Sequence, residues 1–140
     1  MMHLIAERTF DADREKIGEV TAFVATHAEE AAIDARRMPH LELALEEALV
    51  NICTYAYKEP PRVVTVRILQ DEKRFGVNLA DEGIPFDPLE GVPKPDVDAP
   101  LEERSQGGLG VLLIRRVMDE VHYRREGGRN ILSLVIRRGA

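Results

Sequence analysis

Three short motifs hold residue types that can do chemistry. In Glu46-Glu47-Ala48-Leu49-Val50-Asn51, Glu47 and Asn51 stand at i and i+4. On a helix that spacing stacks them on one face. A carboxylate there offers a general base, and a carboxamide offers a neutral oxygen to a hard cation such as Mg²⁺. The plain alternative is a solvated polar edge beside an apolar stripe. In the second motif, Asp81 follows Phe75, Val77 and Leu79 in alternation, so it faces inward at a strand end. A buried carboxylate needs a donor, and the exocyclic amine of adenine is one. Gly83 allows a ligand close to the backbone; here the plain alternative is an Asp-Glu-Gly turn. In the third, Gly107-Gly108-Leu109-Gly110 opens a helix and turns successive backbone N–H groups toward an anion. It is no Walker loop, because Val111-Leu112 stand where Lys-Ser or Lys-Thr would follow.

These residues need a scaffold, and the hydrophobic pattern predicts one. Residues 3–10 read as a strand, and Asp11 or Asp13 offers a cap after it. Ile17, Val20, Phe23, Val24, Ala28 and Ala31 recur at helical spacing, predicting a helix from 17 to about 33. Pro39 opens a second helix. Its stripe of Leu41, Ala44, Leu45, Ala48, Leu49, Ile52, Cys53 and Ala56 runs without a break until Pro60-Pro61. Residues 62–70 and 74–81 read as a hairpin turned through Asp71-Glu72-Lys73. A third helix is predicted over 108–121. A closing hairpin follows, with its turn at Gly127-Gly128. Between the two hairpins lies an irregular segment with five prolines from Pro85 to Pro100 and six acidic residues from Asp87 to Glu103. A loop this long in a small domain reads as a lid, placed at about 84–107. The order β-α-α-β-β-lid-α-β-β predicts an α+β, two-layer sandwich: a mixed, largely antiparallel sheet with helices on one face.

The chain of 140 residues is expected to be one domain, 1–140. Nineteen Lys and Arg against twenty-five Asp and Glu leave a net charge of −6, without the basic footprint of a nucleic-acid binder. No apolar run reaches the roughly 18 residues of a membrane span, and no secretory signal opens the chain. The expected compartment is the cytoplasm. Cys53 is the lone cysteine and reads as a packed core residue. His3, His27, His40 and His122 have no metal-ligand spacing. Arg115-Arg116 and Arg124-Arg125 read as solvated faces, with an acidic protein partner as the sharper alternative.

Taken in order, EEALVNICTYAY, DEGIPFDP and GGLGVLLIRRVMDEVHY resemble the GHKL-type ATPases, whose nucleotide site is the Bergerat fold. More narrowly, they resemble the anti-sigma-factor serine kinases, the RsbW-like group, over nearly the whole chain. The resemblance implies ATP and Mg²⁺ as cofactors. It implies that Asn51 holds Mg²⁺ against the phosphates, that Glu47 is the general base, and that Asp81 binds the adenine amine with Gly83 in the adjoining turn. Gly108 and Gly110 would cradle phosphates, with Arg104 of the lid as a compensating cation. Pro85 stands at the second glycine of the D-x-G-x-G pattern, Tyr55 where His is frequent, and Asn130 where a last-strand Thr near adenine is common. The implied partners are an antagonist (anti-anti-sigma) protein carrying the acceptor serine, a sigma factor, and a second copy of the chain as a homodimer; neither nucleic acid nor membrane is a direct partner.

Two further assignments compete. A non-catalytic module would use nucleotide only to set its affinity for a regulatory partner. The ATPase half of a sensor histidine kinase would need a phosphoacceptor helix pair ahead of the domain, and the sequence as given shows none.

Overall fold

The computed structural model describes residues 1–57, 59, 62–89 and 106–139, without the side chains of 106–111. The chain runs β1 (His3–Asp11), α1 (Ile17–Glu30), α2 (Met38–Asn51), β2 (Val63–Gln70), β3 (Arg74–Asp81), α3 (Gln106–Val117), β4 (Glu120–Glu126) and β5 (Arg129–Arg137). The five strands form one open sheet in the order β1-β2-β3-β5-β4. Every described pairing is antiparallel. The two-layer α+β architecture is as the pattern predicts, and the sheet, expected to be mixed, is wholly antiparallel among its described strands.

Alternation builds the layer between sheet and helices. Phe75, Val77, Leu79 and Asp81 of β3 face the same way as Val64, Val66 and Ile68 of β2 and Leu132, Leu134 and Ile136 of β5. All are buried. The helices close over them with Val20, Val24 and Ala28 from α1, Leu41, Ala44, Leu45, Ala48 and Leu49 from α2, and Ile114 from α3. Each fully buried Leu or Val contributes about 1.5–3 kcal/mol of transfer free energy. The other face of the sheet carries polar cross-strand pairs, among them Thr9 with Thr65 at 3.0 Å, Arg67 with Glu7 at 2.7 Å and Ser133 with Asn78 at 2.7 Å. This is the usual division of an antiparallel sheet with one covered face.

Local chemistry explains most element ends. Asp13 accepts from the Glu15 N–H at 3.0 Å and starts the helical turn that leads into α1. The helix stops at Glu30, short of the predicted end near 33. Ala32 takes a left-handed φ of +61°. The Ile33 N–H reaches Ala28 O at 3.1 Å and the Ala32 N–H reaches Glu29 O at 3.0 Å. Those two bonds make a Schellman motif without the customary glycine. The β2–β3 turn is held by Asp71, whose Oδ1 accepts from the N–H groups of Lys73 and Arg74. Gly127 and Gly128 have φ of +58° and +77°, as a two-residue type I′ hairpin requires.

Two boundaries depart from the sequence expectation. The second helix is not continuous to its end, because Ile52–Ala56 is a π-helical turn. The third helix spans Gln106–Val117 rather than 108–121. Asp119 donates its N–H to Val135 O at 2.9 Å and accepts the Arg137 N–H on Oδ2 at 2.7 Å. Those bonds turn the chain into β4, and the helix ends four residues before the apolar pattern would stop it. The predicted lid lies mostly outside the described residues, which resume within it at Gln106.

Candidate active site

The site forms where β3 ends and β5 begins, beneath α2. Asp81, the last residue of β3, stands opposite Asn130 of β5, which in turn stands opposite Arg125 of β4. Asp81 is 4% exposed and Asn130 5%, and they are two of the three buried polar residues among those described. Asp81 Oδ1 accepts from the Gly83 N–H at 3.0 Å and from Asn130 Nδ2 at 2.9 Å. Burial pushes the Asp81 carboxyl above its ordinary value, while the Asn130 and Gly83 donors and the Arg125 guanidinium pull the other way.

Asn130 is used to capacity. Nδ2 donates to Asp81 and to Ile84 O at 2.8 Å. Oδ1 accepts from the Tyr123 hydroxyl at 2.5 Å and from the Phe86 N–H at 3.2 Å. A carboxamide has two N–H donors and two lone pairs, and the protein occupies all four. By resemblance Asn130 stands where a last-strand Thr near adenine is common; here its polar atoms bond Asp81, Ile84, Phe86 and Tyr123.

The turn after Asp81 is held from three sides. A Cβ on Gly83 would lie 2.1 Å from the Ala56 carbonyl oxygen, so the two backbones touch in a way only glycine allows. Ile84 donates its N–H to that oxygen at 3.0 Å. Tyr57 accepts the Glu82 N–H at 2.6 Å and donates to Val63 O at 2.7 Å; burial raises its pKa. Arg125 donates from Nη1 to Gly83 O at 2.8 Å. The sequence pattern placed Arg125 on a solvated face. Arg125 is exposed, as that reading has it, and the hairpin register also brings its guanidinium to the turn. The π-turn, rare in general and frequent at functional sites, is what carries the Ala56 carbonyl to Gly83 and Ile84.

A cavity of about 30 Å³ lies at this junction, lined by Asn51, Ala48 and Ile52 from the second helix, by Asp81, and by Asn130 and Tyr123 beyond it. Phe86 and Pro88 also line it. That is room for water and not for a nucleobase. The Phe86 ring is exposed and tilts against Tyr55 with centroids 6.0 Å apart.

Asn51, Asp81 and Asn130 are thus brought together, with Gly83 in the adjoining turn. Glu47 lies one helical turn before Asn51 on α2, half-buried and outside the cavity lining. Gly108 lies in the first turn of α3, where the N–H groups lack intrahelical partners, and Gly110 lies in the turn after it. Arg104 lies outside the described residues. No cluster of three or more His, Cys, Asp or Glu able to hold a metal occurs among the described residues. Asn51 alone is not a metal site, but it suits an ion that keeps its waters and is carried by phosphates. Cys53 packs partly against the core, and burial raises its thiol pKa. No helix among the described residues is long and apolar enough to cross a membrane.

The chain belongs to the histidine kinase-like ATPase domain family, whose model matches residues 10–136. Among its curated relatives, the serine-protein kinase RsbW of Bacillus mycoides (strain KBAB4) is 32% identical over 98 residues, covering 68% of this chain and 61% of the relative. The serine-protein kinase RsbW of Bacillus cereus (strain B4264) is 33% identical over 95 residues, covering 66% and 59%. The chain therefore spans about three fifths of the length of these relatives. The histidine kinase domain of the Erythrobacter litoralis EL346 blue-light activated histidine kinase has a similar fold, with a TM-score of 0.54 at 16% identity over 88% of this chain and 59% of that one.

Proposed function

We propose that this chain is an ATP-binding serine protein kinase that also acts as an anti-sigma factor in the cytoplasm. It would phosphorylate a small antagonist protein and sequester a sigma factor. The observation that carries this reading is Asp81: a buried carboxylate with both protein donors on Oδ1, bordering a cavity shared with Asn51. Its setting in a histidine kinase-like ATPase domain similar to serine-protein kinases supports the substrate class.

The residues divide the work. Asp81 accepts the 6-amino group of adenine on Oδ2, and Gly83 keeps the turn close. Asn51 offers its carboxamide oxygen to Mg²⁺, which supplies charge neutralisation at the phosphates. Gly108 and Gly110 bring backbone near the phosphates at the start of α3, with Arg104 as a further cation. Glu47 takes the proton from the partner's serine hydroxyl as its oxygen bonds to the γ-phosphorus. The bond from that phosphorus to the bridging oxygen breaks, and ADP leaves. Positioning and charge neutralisation supply most of the acceleration.

A specific observation favours a second reading. Glu47 is outside the cavity lining, and Pro85 has no N–H to offer a phosphate. On those grounds the chain would be a nucleotide-dependent binding module without phosphotransfer. The experiment is transfer of label from γ-labelled ATP to a panel of anti-anti-sigma proteins, by wild type and by Glu47→Gln. Transfer by wild type alone, with ATP binding retained in the variant, supports the kinase. Binding without transfer in either supports the module, and equal transfer by both removes Glu47 from its role.

A further inference from the structure

We propose that Asn130 is a specificity-determining positioning residue: it holds Asp81 with Oδ1 saturated and Oδ2 free, so that the site selects bases bearing a 6-amino group. The inference rests on the nucleotide-binding reading above and extends it to base choice.

A carboxylate has two equivalent oxygens, and a half-turn about its last bond exchanges them. Two donors on one oxygen remove that equivalence. Here both the Asn130 amide and the Gly83 N–H fall on Oδ1, and Oδ2 has no partner among the described residues. Asp81 borders the cavity, so one acceptor is left for a ligand. Asn130 cannot serve a ligand directly without giving up a bond, because its four hydrogen-bonding positions are filled by Asp81, Ile84, Phe86 and Tyr123. It acts through Asp81. Register makes this rigid, since Asp81 and Asn130 are directly opposed on neighbouring central strands.

The same contacts favour the charged form. Burial works against an ionised Asp81, and the two N–H donors work for it. An ionised carboxylate accepts an amino hydrogen strongly, whereas a base without an amino group at that position leaves the buried charge unsatisfied. Placing a second carboxylate at position 130 would make the pair share a proton, as like charges in contact do. Oδ2 would then be a weaker and less fixed acceptor.

The test compares ATP with purine riboside 5′-triphosphate, which has hydrogen in place of the 6-amino group. Affinities of both are measured for wild type, Asn130→Asp and Asn130→Ala. Wild type should prefer ATP about tenfold or more, the worth of one hydrogen bond to a charged group. Each variant should cut that preference about threefold or more, with the loss falling on ATP. Asn130→Asp preserves shape; if it does not fold, as judged by circular dichroism, Asn130→Ala decides. Equal losses for both nucleotides, with the ratio unchanged, would mean a purely structural Asn130 and overturn the inference. Equal wild-type affinity for the two would overturn it while leaving nucleotide binding intact. A wild type that binds neither would overturn the nucleotide reading itself, and this inference with it.

Discussion

Ala56 and Gly83 meet backbone to backbone: a Cβ on Gly83 would lie 2.1 Å from the Ala56 carbonyl oxygen and 2.6 Å from its carbon. The contact joins the π-turn at the end of the second helix to the turn that carries Asp81. The two halves of the candidate site, the Asn51 side and the Asp81 side, are therefore positioned by one junction.

Gly83→Ala tests that junction. The methyl group collides with backbone, which cannot rotate away, and the Ile84 bond to Ala56 O must lengthen or break. We expect a stability loss of about 2–3 kcal/mol, in the range of overpacking plus one hydrogen bond. Denaturant unfolding measures it. A loss below about 0.5 kcal/mol, the level of a neutral surface change, would mean the junction gives way easily.

Asp81→Asn separates stability from binding. The Asp81 pKa is raised in the folded chain above its ordinary 3.8. The folded state therefore binds more protons than the unfolded state across that window, and this residue's contribution falls as pH rises through the folded value. At pH 7 the amide variant should melt above wild type, and the gap should close as pH drops below 3.8. The same variant should bind ATP and ADP more weakly by similar factors, because the lost contact is to the base. A weakening confined to ATP would contradict the adenine assignment.

Asn51→Ala should remove the Mg²⁺ dependence of ATP affinity and leave ADP measured without Mg²⁺ nearly unchanged. Titrations with and without the ion read this directly. Retained Mg²⁺ dependence would take Asn51 out of the phosphate end of the site.

Ala32→Gly should stabilise the fold away from the site. Ala32 is exposed and holds a φ of +61°, a conformation that costs an L-residue about 1–2 kcal/mol. Glycine relieves it and gives back part through a freer unfolded chain, for a net gain of about 0.5–1 kcal/mol. Thermal unfolding decides, and a lower melting temperature would contradict the αL assignment.

Most of the scaffold was legible because its signals are periodic. Phe75, Val77, Leu79 and Asp81 alternate, so the inward turn of Asp81 could be read two residues at a time. The stripe from Leu41 to Leu49 announced the second helix equally well. What was not legible depends on distant partners. Nothing in Ile52–Ala56 marks a π-turn; it exists because Ala56 O bonds Ile84 N and abuts Gly83. Arg125 is the surface cation the sequence suggested, but its bond to Gly83 O depends on the β4–β5 register. Tyr57 gave no local hint of bridging Glu82 and Val63, since those contacts cross from one element to another. The sequence does hold one usable clue to the Asp81–Asn130–Arg125 rung. The Gly127-Gly128 turn fixes Arg125 opposite Asn130, and pairing β5 with β3 then places Asp81 beside them.

The central claim is an adenine-nucleotide site at Asp81. Its most direct test is calorimetric titration of ATP, ADP and GTP into the wild-type chain and Asp81→Ala, with and without Mg²⁺. Saturable binding of ATP and ADP over GTP is expected, with Mg²⁺ dependence for ATP and loss of both adenine nucleotides in the variant. Absence of binding by wild type, or adenine binding that survives Asp81→Ala unchanged, would contradict it.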